Sequence, residues 1–488
     1  MKEQDRECLC PDCPSYPGHG DDEMLFCATG SSRYEVSERG CLCASCPVYQ
    51  KYGLRELYFC NTESLNGIRM RREGRSENHR DYKNIIHIKE AARTGEAPLE
   101  SMGSQKRLPL GLDDIHIVPA QVSSIPLNAE EPVKTGVTIG KMADKPLKLS
   151  SPVMISGMSY GAVSKKTRMA IASAAAKLGV GFNSGEGGVL EYEMEKAGEY
   201  LIVQYSTGRF GVQEDILQRA AAIEIRFGQG AYPGKGSYLP PDKITDDVAR
   251  VRGLKEGEGS YSPAHHPDIR NHQELAEKVS YLRKLSGGSP VGAKIGCGNV
   301  EDDVKTLLDA GVDFISLDGF GGGTGAVNPH IRDSTGIPLI AAIPKATKVI
   351  VNEGLEGRVS LIAGGGLRTG ADMAKCLALG ADAVYIGTAA LIAMNCQQHR
   401  LCHTGMCPTG ITTHEPALLK HLDTRKAAER LENYIRVSTA EIADFTRITG
   451  KDDIKKLNNE DLVAVKKDVA ELTGLKWLNG LHYSKKSR

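Results

Sequence analysis

At 488 residues the chain exceeds one ordinary compact domain, although an α/β barrel alone can occupy about 250. With 61 basic and 61 acidic residues its formal net charge is zero, which offers neither nucleic acid nor an anionic membrane surface a complementary field. One Trp, no apolar run near the ~20 residues of a membrane span, and a charged N-terminal "MKEQDRECLC" argue against a base-stacking platform, a membrane helix and a signal peptide. A cytoplasmic location is expected.

The thirteen cysteines are clustered: eight fall in the first 60 residues, three between 396 and 407, and Cys297 and Cys376 stand alone. In a reducing compartment such clusters point to metal rather than disulfides. The chain opens with a duplication, because "CLCPDCPSYPGHGDDEMLFC" (8–27) aligns without a gap on "CLCASCPVYQKYGLRELYFC" (41–60). Cys8, Cys10, Cys13 and Cys27 match Cys41, Cys43, Cys46 and Cys60, each set spaced C-x-C-x2-C-x13-C. Pro14, Tyr16, Gly20, Glu23 and Phe26 recur as Pro47, Tyr49, Gly53, Glu56 and Phe59. Within each repeat the four thiolates can close around one centre, so residues 1–62 read as a module holding two. Soft four-thiolate sets suit tetrahedral zinc or a 4Fe–4S cluster, and both stay open at this point. So small a module lacks a sufficient core, and bound metal would supply stability. Residues 63–110 interleave Arg, Lys and Glu and read as a polar linker with a helix and a solvated face.

From about residue 150 strand-like apolar runs alternate with helical patterns. Candidate strands are 152–158, 180–185, 201–206, 222–228, 290–296, 312–319, 359–366 and 383–388. Helical stretches such as "KKTRMAIASAAAKLG" and "NVEDDVKTLLDAG" lie between them. Eight strands in this alternation predict a (β/α)8 TIM barrel over 111–440, with its active site at the C-terminal strand ends. A doubly wound sheet is the other option, but no G-x-G-x-x-G follows a first strand. "LIAGGGLRTGADM" and "YIGT" place glycines after strands 7 and 8, the usual phosphate cradle of such barrels, and "DGFGGGTGA" adds a second concavity after strand 6. A phosphorylated cofactor such as FMN suits both. After the barrel, "NCQQHRLCHTGMCPTGI" spaces Cys396, Cys402 and Cys407 as C-x5-C-x4-C. Residues 441–488 are predicted to be a helical tail.

Taken together, the motifs resemble the FMN-binding synthase domain of the glutamate synthase large subunit, in the layout of the shorter archaeal-type glutamate synthase-related proteins. The segments are "GMSYGAVS" (157–164), "NSGEGG" (183–188), "TGRFGV" (207–212), "GQGAYPGKG" (228–236), "SPAHHPDI" (262–269), "DGFGGGTGA", "GGLRTGADM" and the C-x5-C-x4-C trio, in family order from about 111 to about 437. The resemblance implies reductive amination of 2-oxoglutarate with ammonia to L-glutamate by reduced FMN. It implies a 3Fe–4S cluster on Cys396, Cys402 and Cys407 that feeds the flavin, and it favours 4Fe–4S clusters in the N-terminal module. It places Ser159, Tyr160 and Gly161 along the flavin, and Lys294 beside the ring. Gly322, Gly323, Gly365, Gly366, Gly387 and Thr388 fall on the phosphate and ribityl chain. Glu186, Gln229, Arg226 and Lys294 are the catalytic candidates, with Arg209 and His266 as further ones.

The chain also departs from the family pattern. Where the family writes I-K-x-x-Q-G-A-K-P-G-x-G-G, this sequence has Arg226, Tyr232 and Ser237 in place of Lys, Lys and Gly. Arg and Lys are not interchangeable at a bidentate site, so a different amine or 2-oxo acid, as in N-methylglutamate-forming relatives, is the second reading. A third makes the chain a non-enzymatic electron-transfer subunit with zinc knuckles. Neither an amidotransferase domain with its N-terminal cysteine nor a nucleotide fingerprint is recognisable. Ammonia is therefore expected free or from a separate glutaminase subunit. Electrons are expected from a ferredoxin or another flavoprotein through the N-terminal clusters. A homo-oligomer stays open. Anaerobically purified protein is predicted to carry one FMN with about eleven irons and about twelve acid-labile sulfides; two zincs and no N-terminal iron would end the electron-entry role of the repeats.

Overall fold

Eight apolar runs, several of them ending in Gly or a polar residue, pair in parallel into a closed barrel. The computed structural model describes residues 7–16, 25–29, 32, 36–51, 57–61, 79–228, 232, 237–255 and 258–480. The strands are β1 (Val153–Ile155), β2 (Phe182–Asn183), β3 (Leu201–Tyr205), β4 (Ala222–Arg226), β5 (Val291–Gly296), β6 (Phe314–Asp318), β7 (Ser360–Gly364) and β8 (Ala383–Ile386). They follow one another round the barrel in chain order, and β8 closes on β1 through Tyr385 opposite Met154. All eight fall where the sequence predicts them. Their apolar side chains are almost completely buried, inside the barrel or under the helices. Below the barrel a two-stranded ribbon, Val137–Ile139 with Leu147–Leu149, seals the N-terminal strand ends, and the Gly140 N–H donates to Ser360 Oγ at 3.2 Å.

Polar residues inside the barrel meet at one carboxylate. Glu224 on β4, fully buried, accepts from Asn183 Nδ2 (2.8 Å), Gln204 Nε2 (2.9 Å), Ser316 Oγ (2.8 Å) and the Tyr385 hydroxyl (3.4 Å). Those donors come from β2, β3, β6 and β8, so the interaction spans the barrel. A second buried charge joins two loops above it. Arg168, in α1 (Lys165–Leu178), pairs with Glu193 and donates to the carbonyls of Met158 (3.0 Å) and Ser184 (2.6 Å), just past β1 and β2.

Helix α2 (Thr424–Ile448) packs across α1 and the helix Gly370–Ala378. Its continuity erases the boundary expected at 440. The helical tail expected after it also needs correction: Leu462–Ala464 pairs antiparallel with Ile115–Ile117 and parallel with Lys476–Trp477. Leu462 and Ala464 are buried while Val463 is half-buried, a period-2 pattern too short to separate from a helix by sequence. The linker likewise ends differently from a solvated face. It contains the helix His79–Thr94, but beyond it Ser101 and Met102 are buried, and Met102 N–H donates to Thr324 O (2.7 Å) in the glycine loop after β6. Among the described residues no helix is long and apolar enough to cross a membrane.

Replacing Glu224 with Leu should strand several buried donors and cost about 3 kcal/mol or more, read as lowered resistance to thermal or denaturant unfolding. Glu224→Gln, which keeps an acceptor oxygen, should cost less.

Candidate active site

The loops at the C-terminal strand ends line a cavity that opens to solvent. Its floor is made by strand residues: Gln204 on β3, Arg226 on β4, Lys294 on β5, Asp318 on β6 and Tyr385 on β8. The parallel register sets Lys294 directly beside Arg226, so two cations stand side by side at adjacent strand ends. Lys294 Nζ pairs with Asp318 at 2.9 Å and lies 5.8 Å from the Tyr385 ring centroid. Lys294 is thus both a cation at the cavity and a member of an ion pair inside the barrel.

One wall is glycine. Gly321, Gly322 and Gly323 after β6 line it with Gly365 and Gly366 after β7 and Gly387 and Thr388 after β8, and Gly321 packs against Gly365 and Gly366. A Cβ on Gly365, whose φ is +124°, would fall 2.7 Å from Gly319 O, and one on Gly321 would fall 3.0 Å from Gly365 O. Only bare backbone fits, which leaves a concave surface suited to a phosphate and its attached chain. Gly322, Gly323, Gly365, Gly366, Gly387 and Thr388 thus all line the cavity. Of the first-loop trio, Ser159 lines it while Tyr160 and Gly161 do not. Tyr160 packs among Leu190, Leu239 and Val248, and the Gly161 carbonyl accepts from His414 Nε2 at 3.1 Å.

Opposite the glycines stands a buried acid among arginines. Glu186 accepts from Ser237 Oγ and from Ser262 Oγ (3.3 Å), and lies 3.8 Å from Arg226 Nη1. Burial pushes its pKa up, but Arg226, Ser237, Arg252 and Ser206 outweigh it and hold the carboxyl below its ordinary range. Arg226 also donates to Gln204 Oε1 (3.1 Å) and Gly228 O (2.7 Å). Arg252, 4% exposed, lines the same wall, and its Nε is buried with no hydrogen-bond partner among the described residues. A buried, unsatisfied guanidinium N–H beside a cavity suits an anionic ligand. Gln229 lies outside the described residues. Arg209 and His266 lie behind the wall: Arg209 pairs with Asp268, and His266 Nε2 donates to Arg226 O at 2.9 Å.

The three-cysteine segment borders the cavity directly, since Cys402, His403 and Thr412 line it. Burial pushes the Cys396 thiol up to about 12. Burial also raises Cys407, but hydrogen bonds from Thr409 and Thr412 outweigh it and leave this thiol below its ordinary value. Gln398 N–H points at Cys396 Sγ (3.4 Å) and Thr409 Oγ1 lies 3.3 Å from Cys407 Sγ. Donors aimed at sulfur fit a thiolate ligand set. Among the described residues no three His, Cys, Asp or Glu side chains converge on a single ion position. Lys243, fully buried, ties this segment to the barrel by donating to Cys402 O and Ala162 O, both at 2.9 Å.

Sequence reasoning missed Gln204, Lys243, Arg252, Asp318 and Tyr385. Gln204 and Tyr385 carried a signal, being polar residues within apolar strand runs. Lys243 and Arg252 carried none, because their importance comes from loops brought together by the fold.

The fold and cavity define a (β/α)8 barrel with a site at the C-terminal ends of its strands. The family described as "Conserved region in glutamate synthase" matches residues 78–452, and the chain belongs to it. Residues 8–61 match a second family, described as "Protein of unknown function (DUF2769)". A glutamate synthase large subunit-like protein of Rhizobium meliloti is 36% identical and covers 82% of this chain and 95% of its own length. The archaeal glutamate synthase (NADPH) of Methanocaldococcus jannaschii is 35% identical over 80% of this chain and 83% of its own. Among solved structures, a soluble mutant of the membrane-associated (S)-mandelate dehydrogenase from Pseudomonas putida aligns at 15% identity and a TM-score of 0.45, covering 72% of this chain and 88% of its own.

His266 supplies a pH prediction. Burial first, and then Arg209, lower its pKa from 6.5 to about 4, because Nδ1 faces an Arg209 donor at 2.7 Å and must accept. The unfolded chain takes up that proton near 6.5 and the folded chain only near 4. Stability should therefore fall as pH falls through that window. His266→Gln should flatten the slope of the thermal midpoint against pH between 6.5 and 5.

Proposed function

We propose that the chain is an iron–sulfur flavoenzyme that condenses 2-oxoglutarate with ammonia and reduces the imine to L-glutamate. One observation carries the reading: a single cavity is walled by the glycine loops, Lys294, the Glu186–Arg226 pair and Cys402. The names of the relatives, glutamate synthases, support the oxidoreductase class and glutamate as the product. Condensation releases water and leaves a C=N bond whose carbon accepts a hydride and whose nitrogen accepts a proton. FMN seated on Gly322, Gly323, Gly365, Gly366, Gly387 and Thr388 would supply the hydride when reduced.

The chain's own residues do the rest. Arg226 and Arg252 would hold the carboxylates of the acid by charge-assisted hydrogen bonds. Glu186, kept ionised by its neighbours, would orient the amine and take the proton it sheds on attack. Lys294 would set a cation at the cradle where negative charge develops on the reduced ring. Cys396, Cys402 and Cys407 would hold a 3Fe–4S cluster against the cavity wall. The N-terminal cysteines would hold two 4Fe–4S clusters, with two zincs as the alternative. Electrons would come from a ferredoxin or a flavoprotein subunit, and ammonia from solution or a separate glutaminase subunit.

Two side chains favour a second substrate reading. Ser237, at a family glycine position, puts a hydroxyl on Glu186; Tyr232, at a family lysine position, is buried and donates to Gly322 O at 2.8 Å. Tyr232 thus carries no cation where the family pattern has one, and another amine or 2-oxo acid would fit that difference. Anaerobic turnover with an artificial low-potential donor, ammonia or methylamine, and a panel of 2-oxo acids separates the readings. Donor oxidation with 2-oxoglutarate and ammonia is expected; oxidation only with methylamine or another acid would transfer the assignment to the second reading. Glu186→Gln should lower kcat by about 100-fold or more while FMN stays bound.

A further inference from the structure

The N-terminal repeats match in conformation as well as in sequence. Cys10–Asp12 and Cys43–Ser45 each form one 3-10 turn. The third cysteines leave those turns alike, Cys13 at φ −76° and ψ 133°, Cys46 at φ −74° and ψ 129°. Leu25 and Tyr58, each two residues before a fourth cysteine, share positive φ values of 58° and 53°. All eight cysteines line one cavity.

Contacts between the repeats are reciprocal, and they run through the third cysteine. Cys13 Sγ donates to Gly40 O (3.5 Å), immediately before Cys41, and Cys46 Sγ donates to Glu7 O (3.8 Å), immediately before Cys8. The alignment that equates Cys13 with Cys46 equates Gly40 with Glu7, so one contact is made twice. Each third cysteine thus sits beside the residue that precedes the other repeat's first cysteine, while first and second cysteines stay together by their C-x-C spacing. The fourth-cysteine turns stay with their own repeat, since Tyr58 N–H donates to Cys41 Sγ (3.3 Å) and Leu25 stands in the same relation to Cys8.

We propose that the repeats exchange their third cysteine: Cys8, Cys10, Cys27 and Cys46 hold one centre, and Cys41, Cys43, Cys60 and Cys13 hold the other. This replaces the one-repeat, one-centre sets suggested by spacing. It rests on the reading of the repeats as metal sites, and it assigns the ligands whether zinc or iron–sulfur fills them. The second set is also the inner one. A Cβ on Gly40 would fall 3.4 Å from Met406 O, next to Cys407, and buried Ser15 fixes Gly40 by donating to its carbonyl at 2.6 Å.

The test compares full-length variants purified anaerobically, with FMN content at the wild-type level as the sign of a folded barrel. Cys13→Ala with Cys43→Ala removes two ligands of one proposed set, although they lie in different repeats. It should lose half of the module's metal, about four of about eight irons or one of two zincs, and leave the other centre intact. Cys10→Ala with Cys13→Ala, within one repeat, should damage both centres. The opposite result, with the same-repeat pair sparing one centre, overturns the exchange alone. Wild-type protein with no metal beyond the three-cysteine centre overturns the exchange together with the metal reading. Should both pairs empty the module, single serine variants decide by EPR. Cys13→Ser and Cys43→Ser should perturb one signal, Cys10→Ser and Cys46→Ser the other; grouping by repeat overturns the proposal.

Discussion

The buried carboxylate of Glu224 is the constraint on which the site depends. A barrel of eight short strands could hold an entirely apolar interior, yet here one acid receives donors from four other strands. A charge at that depth is tolerable only when fully hydrogen-bonded, so the acid dictates the orientation of Asn183, Gln204, Ser316 and Tyr385. Two of these, Gln204 and Tyr385, also form the cavity floor, and Gln204 in turn holds Arg226. The chain of contacts runs from core to site without a break: Glu224 fixes Gln204, Gln204 fixes Arg226, and Arg226 faces Glu186. Above it the buried Arg168–Glu193 pair fixes the loops after β1 and β2, the second of which carries Glu186.

Much of this was legible because the physics is local. Eight apolar runs bounded by Gly and polar residues mark strands whatever the tertiary context, and all eight are present. The glycine cradle was legible for the same reason, since side chains are excluded wherever two loops approach as closely as Gly321 and Gly365. Other features depend on distant partners. Ser101 and Met102 look like linker until the loop carrying Thr324 arrives to cover them. Leu462–Ala464 becomes a strand because Ile115–Ile117 offers it an edge. Tyr160 was expected beside the flavin by its place in a motif; the apolar cluster around Leu239 and Val248 claims its ring instead.

Lys243 shows how the fold joins parts that the sequence keeps apart. Its ammonium is desolvated, which pulls its pKa down to about 8 against the opposing influence of Cys402 and Cys407. That cost is met by two carbonyls, one on the loop after β1 and one on the three-cysteine segment. The same lysine thus sets the spacing between the cavity and the trio. Ser101 does similar work from the other side, bonding both the ring and the backbone N–H of His403.

Exchange of a ligand between repeats has a physical consequence for the N-terminal module. Two self-contained knuckles could each form or lose their centre independently, joined only by whatever apolar surface they share. That surface is small, built on Phe26, Val36 and Phe59. With Cys13 and Cys46 crossed, neither centre can close unless both repeats are in place, so metal binding and docking of the repeats become one cooperative event. Gly40, which precedes Cys41, also lies against Met406 beside Cys407, so the set that holds Cys41 is the one with a contact to the three-cysteine segment among the described residues.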